Sequence, residues 1–206
     1  MNPKWAEENL QTIRTLMERS ALYRRALAPI MIYVGVVGIV GGIVGWRMQI
    51  DSGRGFVLLW IGVATLALAG SFFLVRRQAI RDSEPFWSPP TRRVAEALLP
   101  AFSIGLVLAI FSLRDDGRID SESYGLIASI WALLYGCAIH AAGFFMPRGV
   151  RRLGWVFIIT GILAFIYIVG NDRPTSPYML MAGVFGGLHL AYGIYLYFTE
   201  KKNPVA

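Results

Sequence analysis

Six long uncharged segments dominate the pattern of hydrophobic and polar positions along the chain. The runs between successive charged residues are 17 to 26 residues long and cover 26–46, 55–75, 97–113, 123–147, 153–171 and 174–199. Uninterrupted apolar runs of about 18 residues or more indicate helices that cross a bilayer. We therefore predict an all-α fold, an integral membrane bundle of six transmembrane helices in one domain 26–199, with spans at about 27–46, 55–75, 97–113, 124–146, 153–171 and 178–198.

The segment before the first span has the pattern of an amphipathic helix. Pro3 is tolerated in a first helical turn, and Glu7 and Glu8 follow where the helix dipole favours acidic side chains. Apolar residues then recur at helical spacing, at Leu10, Ile13 and Met17. We predict a cytoplasmic amphipathic helix over 1–25. Its apolar face serves either the membrane surface or docking to a partner, since both uses require the same face.

Composition and charge narrow the class of protein. Of the 206 residues, 55% are hydrophobic and 16% are charged, well below the roughly 25% charged residues of a soluble domain. The segments outside the spans, including a tail at 200–206, are too short for a soluble catalytic domain. The net charge of +7 lies beside the spans and belongs to no nucleic-acid-binding module. The single cysteine, Cys137, excludes an intramolecular disulfide.

The distribution of basic residues predicts the orientation. If the N-terminus is inside, 15 of the 20 Lys and Arg residues lie on cytoplasmic segments. Cytoplasmic loops of membrane proteins carry an excess of Lys and Arg. We therefore expect both termini to be cytoplasmic.

Glycine pairs at small-xxx-small spacing occur in the first and the sixth span. They are Gly38 with Gly42, Gly41 with Gly45, and Gly183 with Gly187. Glycines at this spacing let two helix backbones approach closely in lipid. The pattern predicts helix packing at these positions, either inside the bundle or across a homodimer.

The uncharged runs carry few groups that could perform chemistry. None contains Asp, Glu, Lys or Arg, the residues that proton relays and ion-coupled transporters normally place in the membrane. The chain also has no His-Glu-x-x-His or Gly-x-Ser-x-Gly motif. We expect no enzyme activity and predict no catalytic residue.

The two histidines are the exception. His140 lies in the fourth uncharged run and His189 in the sixth, at similar predicted depth and beside glycines. Two imidazoles facing each other could ligate a b-type haem. The interpretation we favour is that both histidines make structural hydrogen bonds, for which Tyr135, Tyr192 and Ser129 are available, and contact with a lipid or quinone headgroup is a further alternative. A metal ion shared with Cys137 lacks a visible fourth ligand, so we predict no metal site.

Three stretches resemble a known group of sequences. They read LQTIRTLMERSALYRRALAP at 10–29, WALLYGCAIHAAGFFMPRG at 131–149 and GGLHLAYGIYLYFTEKK at 186–202. In these stretches the chain resembles a family of uncharacterised bacterial multi-pass inner-membrane proteins. The resemblance implies a location in the bacterial inner membrane and carries no activity, cofactor or site.

The functional expectation follows by elimination. We expect an accessory, regulatory or oligomeric subunit that acts through helix–helix association in the bilayer, as a homodimer or with a membrane-complex partner, without a cofactor. The first alternative is an electron-transfer subunit that binds haem b or a quinone through His140 and His189. The second is a small-solute channel or facilitator.

The predicted orientation can be tested by cysteine labelling. Ser83→Cys and Ser121→Cys, each in a Cys137→Ala background, should show opposite accessibility to a membrane-impermeant thiol reagent in intact cells. Ser121→Cys should be labelled from outside, and Ser83→Cys only after lysis. Labelling of Ser83→Cys in intact cells would contradict the orientation.

Overall fold

The computed structural model describes residues 27–50, 52–81, 83, 86–87, 89–114, 121–171 and 176–200. Six helices in these ranges are long and apolar enough to cross a membrane, which confirms the predicted all-α class and the number of long apolar helices. The amphipathic helix predicted at 1–25 and the tail after residue 200 lie outside the described residues. The helices are α1 (Leu27–Arg47), α2 (Gly53–Arg81), α3 (Pro89–Leu113), α4 (Ser121–Ala142), α5 (Arg148–Val169), α6 (Pro177–Met181) and α7 (Leu188–Glu200).

The sixth span consists of α6, a π-helical segment (Ala182–Gly187) and α7. Three glycines and an alanine make up most of the π-helical segment. Glycine has a low α-helix propensity, so the chain can adopt the wider π-helical turn in this segment. Single π turns inside α-helices often occur at functional positions, and this one directly precedes His189.

Several helices extend beyond the uncharged runs that predicted them, α2 and α3 by the most residues. The helix α2 continues to Arg81, and α3 begins at Pro89. Helical hydrogen bonds are local, so a helix can leave the apolar layer as soon as water and headgroups solvate its charged side chains. Prolines at the start of α3 are tolerated because the first-turn N–H groups need no helical partner.

The first span packs closely against the sixth along a line of glycines. A Cβ added at Gly38 would lie 3.0 Å from the Cα of Gly186, and one at Gly42 would lie 2.5 Å from the Cβ of Ala182. A Cβ at Gly35 would lie 2.5 Å from the backbone nitrogen of Leu190. The two backbones therefore meet with no room for a side chain on this face of α1.

The helices α4 and α5 form a second close pair. A Cβ at Gly136 would lie 2.8 Å from the backbone nitrogen of Ile158, and one at Gly154 would lie 2.6 Å from that of His140. The turn at 143–147 joins these antiparallel helices. Two tight helix pairs thus form the centre of the bundle.

The helices α2 and α3 lie at its periphery. Only 11% of the α2 window and 6% of the α3 window are buried, against 33% to 44% for the other four spans. The Tyr33 hydroxyl of α1 donates to the Leu66 carbonyl of α2 at 2.9 Å. Trp131 of α4 donates to the Gly105 carbonyl of α3 at 3.2 Å. Both helices also reach the interior, because Phe56 of α2 stacks on Tyr124 of α4 and Ala109 of α3 is buried in the same group of residues.

The buried side chains form two clusters. The first, which we call the Phe56 cluster, contains Phe56, Val57, Trp60, Ala109, Tyr124, Ala128, Tyr178 and Met181. The second, the Phe157 cluster, contains Leu27, Ala28, Met31, Ala132, Ile139, Val150, Leu153, Phe157, Val184 and Leu196. Phe185 and Leu180 touch both clusters, so the apolar interior is continuous across the described helices.

The remaining glycines of the small-xxx-small pairs differ in their surroundings. Gly41 lies against Val63 of α2, and Gly45 lies against Leu59 and the Tyr178 ring. A Cβ at Gly183 would meet no atom of the described residues within 4 Å, and one at Gly187 would meet only the Ala182 carbonyl, at 3.9 Å. The sixth span approaches α1 through Gly186 and Gly193 instead.

Gly42→Ala should destabilise the bundle because its Cβ would also lie 2.7 Å from the Tyr178 carbonyl. We expect a loss of about 1–3 kcal/mol, as for other overpacked interiors, measured by thermal unfolding in detergent. Gly105→Ala on α3 is the matched control because the nearest described atom to its Cβ would be Trp131 Cδ1 at 3.8 Å, an ordinary contact distance. Equal melting temperatures for the two variants would argue against the α1–sixth-span contact.

Candidate functional site

His189 lies at the centre of the bundle and is completely buried. Its Nε2 lies 2.6 Å from the Tyr135 hydroxyl of α4, and its Nδ1 lies 2.6 Å from the Phe185 carbonyl. Phe185 belongs to the π-helical segment, one helical turn before the histidine. The side chain therefore joins the sixth span to α4 and also reaches back to its own helix.

These two contacts fix which atom carries each proton in the neutral imidazole. A carbonyl oxygen can only accept, so Nδ1 of His189 donates to Phe185. The other ring nitrogen, Nε2, is then the acceptor, and the Tyr135 hydroxyl donates to it. The result is a directed chain from the Tyr135 hydroxyl through the imidazole to the Phe185 carbonyl.

Aromatic rings surround this hydrogen-bonded chain. The His189 ring centroid lies 5.2 Å from that of Tyr135, 5.2 Å from that of Phe157 and 6.1 Å from that of Phe185. Phe102 of α3 stacks on Tyr135 with an interplanar angle of 9°. A polar pair enclosed by apolar rings is strongly held, because breaking it would leave buried polar atoms without partners.

His140 has a different environment. Its Nδ1 lies 3.3 Å from the Arg151 carbonyl in the first turns of α5. Its ring makes edge contacts with Phe144 at 5.6 Å and Trp155 at 5.3 Å. The side chain is partly exposed, so His140 lies at the end of the α4–α5 hairpin and not in the centre of the bundle.

The two histidines as placed do not suit bis-histidine ligation of one haem. Tyr135, which contacts His189, lies five residues before His140, and five helical residues rise about 7.5 Å along α4. Both nitrogens of His189 already have oxygen partners within the chain. Binding iron at about 2 Å would require one of these bonds to break and the rings around it to move.

The described residues contain no group of three or more His, Cys, Asp or Glu side chains that could hold a metal ion. Cys137 is exposed on α4. Ser129 is buried, but its hydroxyl donates to the Gly125 carbonyl of its own helix at 2.9 Å. The docking residues Leu10, Ile13 and Met17 lie outside the described residues and remain predictions.

Sequence reasoning did not single out Trp60. This side chain is 4% exposed, and its Nε1 is buried without a hydrogen-bond partner among the described residues. Phe56 lies beside it at a centroid distance of 6.4 Å. The sequence does not indicate that the N–H of a tryptophan in an uncharged run is buried without a partner, because its burial depends on the neighbouring helices.

Comparisons with protein-family models, with curated proteins and with solved structures find no match to this chain. The described geometry and the sequence are therefore the basis for the function proposed below.

Tyr135→Phe tests the buried pair. The change keeps the ring but removes the donor to Nε2 of His189, and we expect a loss of about 1–2 kcal/mol in thermal unfolding. Tyr33→Phe is the matched control because its hydroxyl bonds a helix carbonyl at the exposed edge of α2. If Tyr135→Phe costs no more than Tyr33→Phe, the His189 contact does not contribute to stability.

Trp60→Phe tests the cost of the unpartnered indole N–H. A phenylalanine retains aromatic packing in the Phe56 cluster and has no polar group to desolvate. We expect the unfolding temperature to stay within a few degrees of wild type or to rise. Trp131→Phe, which removes a donor that does have a partner, should lower it. The reverse order would show that the Trp60 N–H has a stabilising role.

Proposed function

We propose that this protein is a non-enzymatic subunit of the bacterial inner membrane that acts through helix–helix association, as an oligomer or as an accessory or regulatory subunit. The observation that carries the proposal is the unequal burial of the six spans. Four spans form a closely packed unit, whereas few residues of α2 and α3 are buried. With the orientation expected from the basic residues, both termini face the cytoplasm.

Among the outward surfaces of the bundle, that of α2 is the best suited to pack against another helix. Gly62 is exposed, and no described atom would contact a Cβ added there. It is flanked by Leu58 and Leu66, which are 58% and 59% exposed. In lipid, a small residue between large apolar ones allows a second helix to approach closely. We call the surface formed by Leu58, Gly62 and Leu66 the α2 face.

The glycines of α1 support the same choice. Gly38 and Gly42 contact the sixth span and Gly41 contacts α2, so this stripe is used within one chain. The described glycines with no atom within 4 Å of an added Cβ are Gly62 and Gly183, and Gly62 lies on the less buried of the two spans.

The alternatives receive less support from the geometry. A small-solute pathway needs an interior lined by polar groups, but only His189 and Ser129 are polar among the largest fully buried side chains described, and both are hydrogen-bonded within the chain. An electron-transfer subunit would need His189 to exchange a partner for iron or a quinone. The Tyr135–His189 pair is better explained as a bond between two helices.

Site-directed cross-linking tests the proposed function. Gly62→Cys in a Cys137→Ala background, treated with a thiol cross-linker in native membranes, should give a product larger than the single chain. Leu163→Cys on α5, where the native side chain is 61% exposed, is the control and should remain uncross-linked. Twice the chain mass would identify a second copy, and any other mass would identify a different subunit. Equal products at both positions, or none at Gly62→Cys, would contradict association through the α2 face.

A further inference from the structure

Three exposed arginines lie close together where α5 begins. They are Arg148, Arg151 and Arg152, in the first two turns of the helix. The preceding turn carries Phe144, which is 64% exposed, and one helical turn after Arg151 follows Trp155, which is 54% exposed. We call these five residues the α5 basic surface.

The α5 basic surface has no nearby acidic side chain in its own hairpin. The whole segment 123–171, which contains nearly all of α4 and all of α5, has no Asp or Glu. The other arginine-rich helix ends differ, because Arg92 on α3 pairs with Glu96 at 2.7 Å, and Asp82 and Glu84 follow Arg81 in the sequence. The α4–α5 hairpin therefore supplies no carboxylate that could pair with its three arginines.

One of these guanidinium groups is held in place by an aromatic ring. The Cζ of Arg151 lies 5.1 Å from the centroid of the Phe144 ring. The Arg151 carbonyl also accepts from Nδ1 of His140, whose ring contacts both Phe144 and Trp155. A guanidinium positioned by stacking loses less freedom when it binds a phosphate oxygen in a bidentate manner.

We propose that the α5 basic surface binds the headgroup of an anionic phospholipid. The arginines supply charge complementarity to the phosphate, and the exposed rings of Phe144 and Trp155 supply apolar contacts beside it. The surface lies at the end of two membrane-spanning helices, at the level where headgroups are found. Tryptophans such as Trp155 are enriched at this level because the indole ring is apolar and its N–H is polar.

A phospholipid suits this surface better than a soluble anion does. The arginines adjoin exposed apolar rings, and a lipid brings acyl chains that cover them while its phosphate meets the guanidinium groups. Basic residues near an anionic membrane contribute about 1 kcal/mol each, or about fivefold in affinity. Three arginines acting together should therefore distinguish anionic from zwitterionic lipid by tenfold or more.

Native mass spectrometry of the full chain in detergent tests the proposal. The probes are phosphatidylglycerol and phosphatidylcholine with identical acyl chains. We expect wild type to bind phosphatidylglycerol about tenfold or more tightly than phosphatidylcholine. The variant Arg148→Gln, Arg151→Gln, Arg152→Gln should lose most of this preference. The matched control Arg76→Gln, Arg77→Gln, Arg81→Gln removes the same charge from the end of α2 and should keep it.

Several results would overturn the proposal. They are equal binding of the two lipids by wild type, an equal loss in both triple variants, and displacement of phosphatidylglycerol by inorganic phosphate at the same concentration. An equal loss would show that only the overall charge matters. Displacement by phosphate would show that the surface recognises a free anion.

If the triple variant fails to fold, the single variant Arg151→Lys still tests the proposal. Lysine retains the charge but has neither the planar stacking nor the bidentate donors of arginine. The variant should lose about threefold or more of the preference for phosphatidylglycerol. Arg77→Lys, the control at the end of α2, should leave it unchanged. If the two lysine variants behave alike, the α5 basic surface is not a built binding site.

Discussion

Close approach of glycine-bearing backbones is the constraint on which this fold depends. Lipid chains are as apolar as the side chains that they would replace, so burial of apolar surface does not by itself drive helices together in a membrane. Association then depends on van der Waals contact, which requires short distances between backbones. Gly38 meets Gly186 between α1 and the sixth span, and Gly136 and Gly154 meet between α4 and α5. These two crossings set the distances between the central helices.

The buried polar pair joins the two helix pairs that these crossings form. Tyr135 immediately precedes Gly136, and Phe185 immediately precedes Gly186, so each polar contact lies beside a position where the helix separation is fixed. The 2.6 Å contact between Tyr135 and His189 therefore belongs to the same arrangement. Residue counts along a span predict the depth of a histidine but not its rotation about the helix axis. For this reason the sequence pattern grouped His140 with His189, whereas the structure gives them separate partners.

The spans could be predicted from the sequence because a helix inside the apolar layer excludes charged residues, so each span is visible as a long uncharged run. The glycine contacts could be predicted only in part. On an α-helix Gly183 and Gly187 share one face, but both lie in the π-helical segment, whose i→i+5 bonds rotate later residues relative to an α-helix. The face of the sixth span that meets α1 carries Ala182, Gly186 and Leu190, each four residues apart, and Gly183 lies on another face. A propensity for local α-helix does not reveal such a change, because tertiary contacts stabilise the wider turn.

The division between a tight centre and two loosely attached helices bears on how such a protein could work. When a surface binds another membrane helix, it exchanges lipid contacts for protein contacts. The free-energy cost of this exchange is lowest for the helices with the fewest buried residues. The helix α2 is attached by contacts such as Tyr33 to Leu66 and Phe56 to Tyr124, which do not involve His189, whereas α3 contacts Tyr135 through Phe102. The proposed association at the α2 face would therefore leave the hydrogen bonds of His189 intact. The arginines at the start of α5 lie on the tight centre, so lipid contacts there would orient the part of the molecule that moves least.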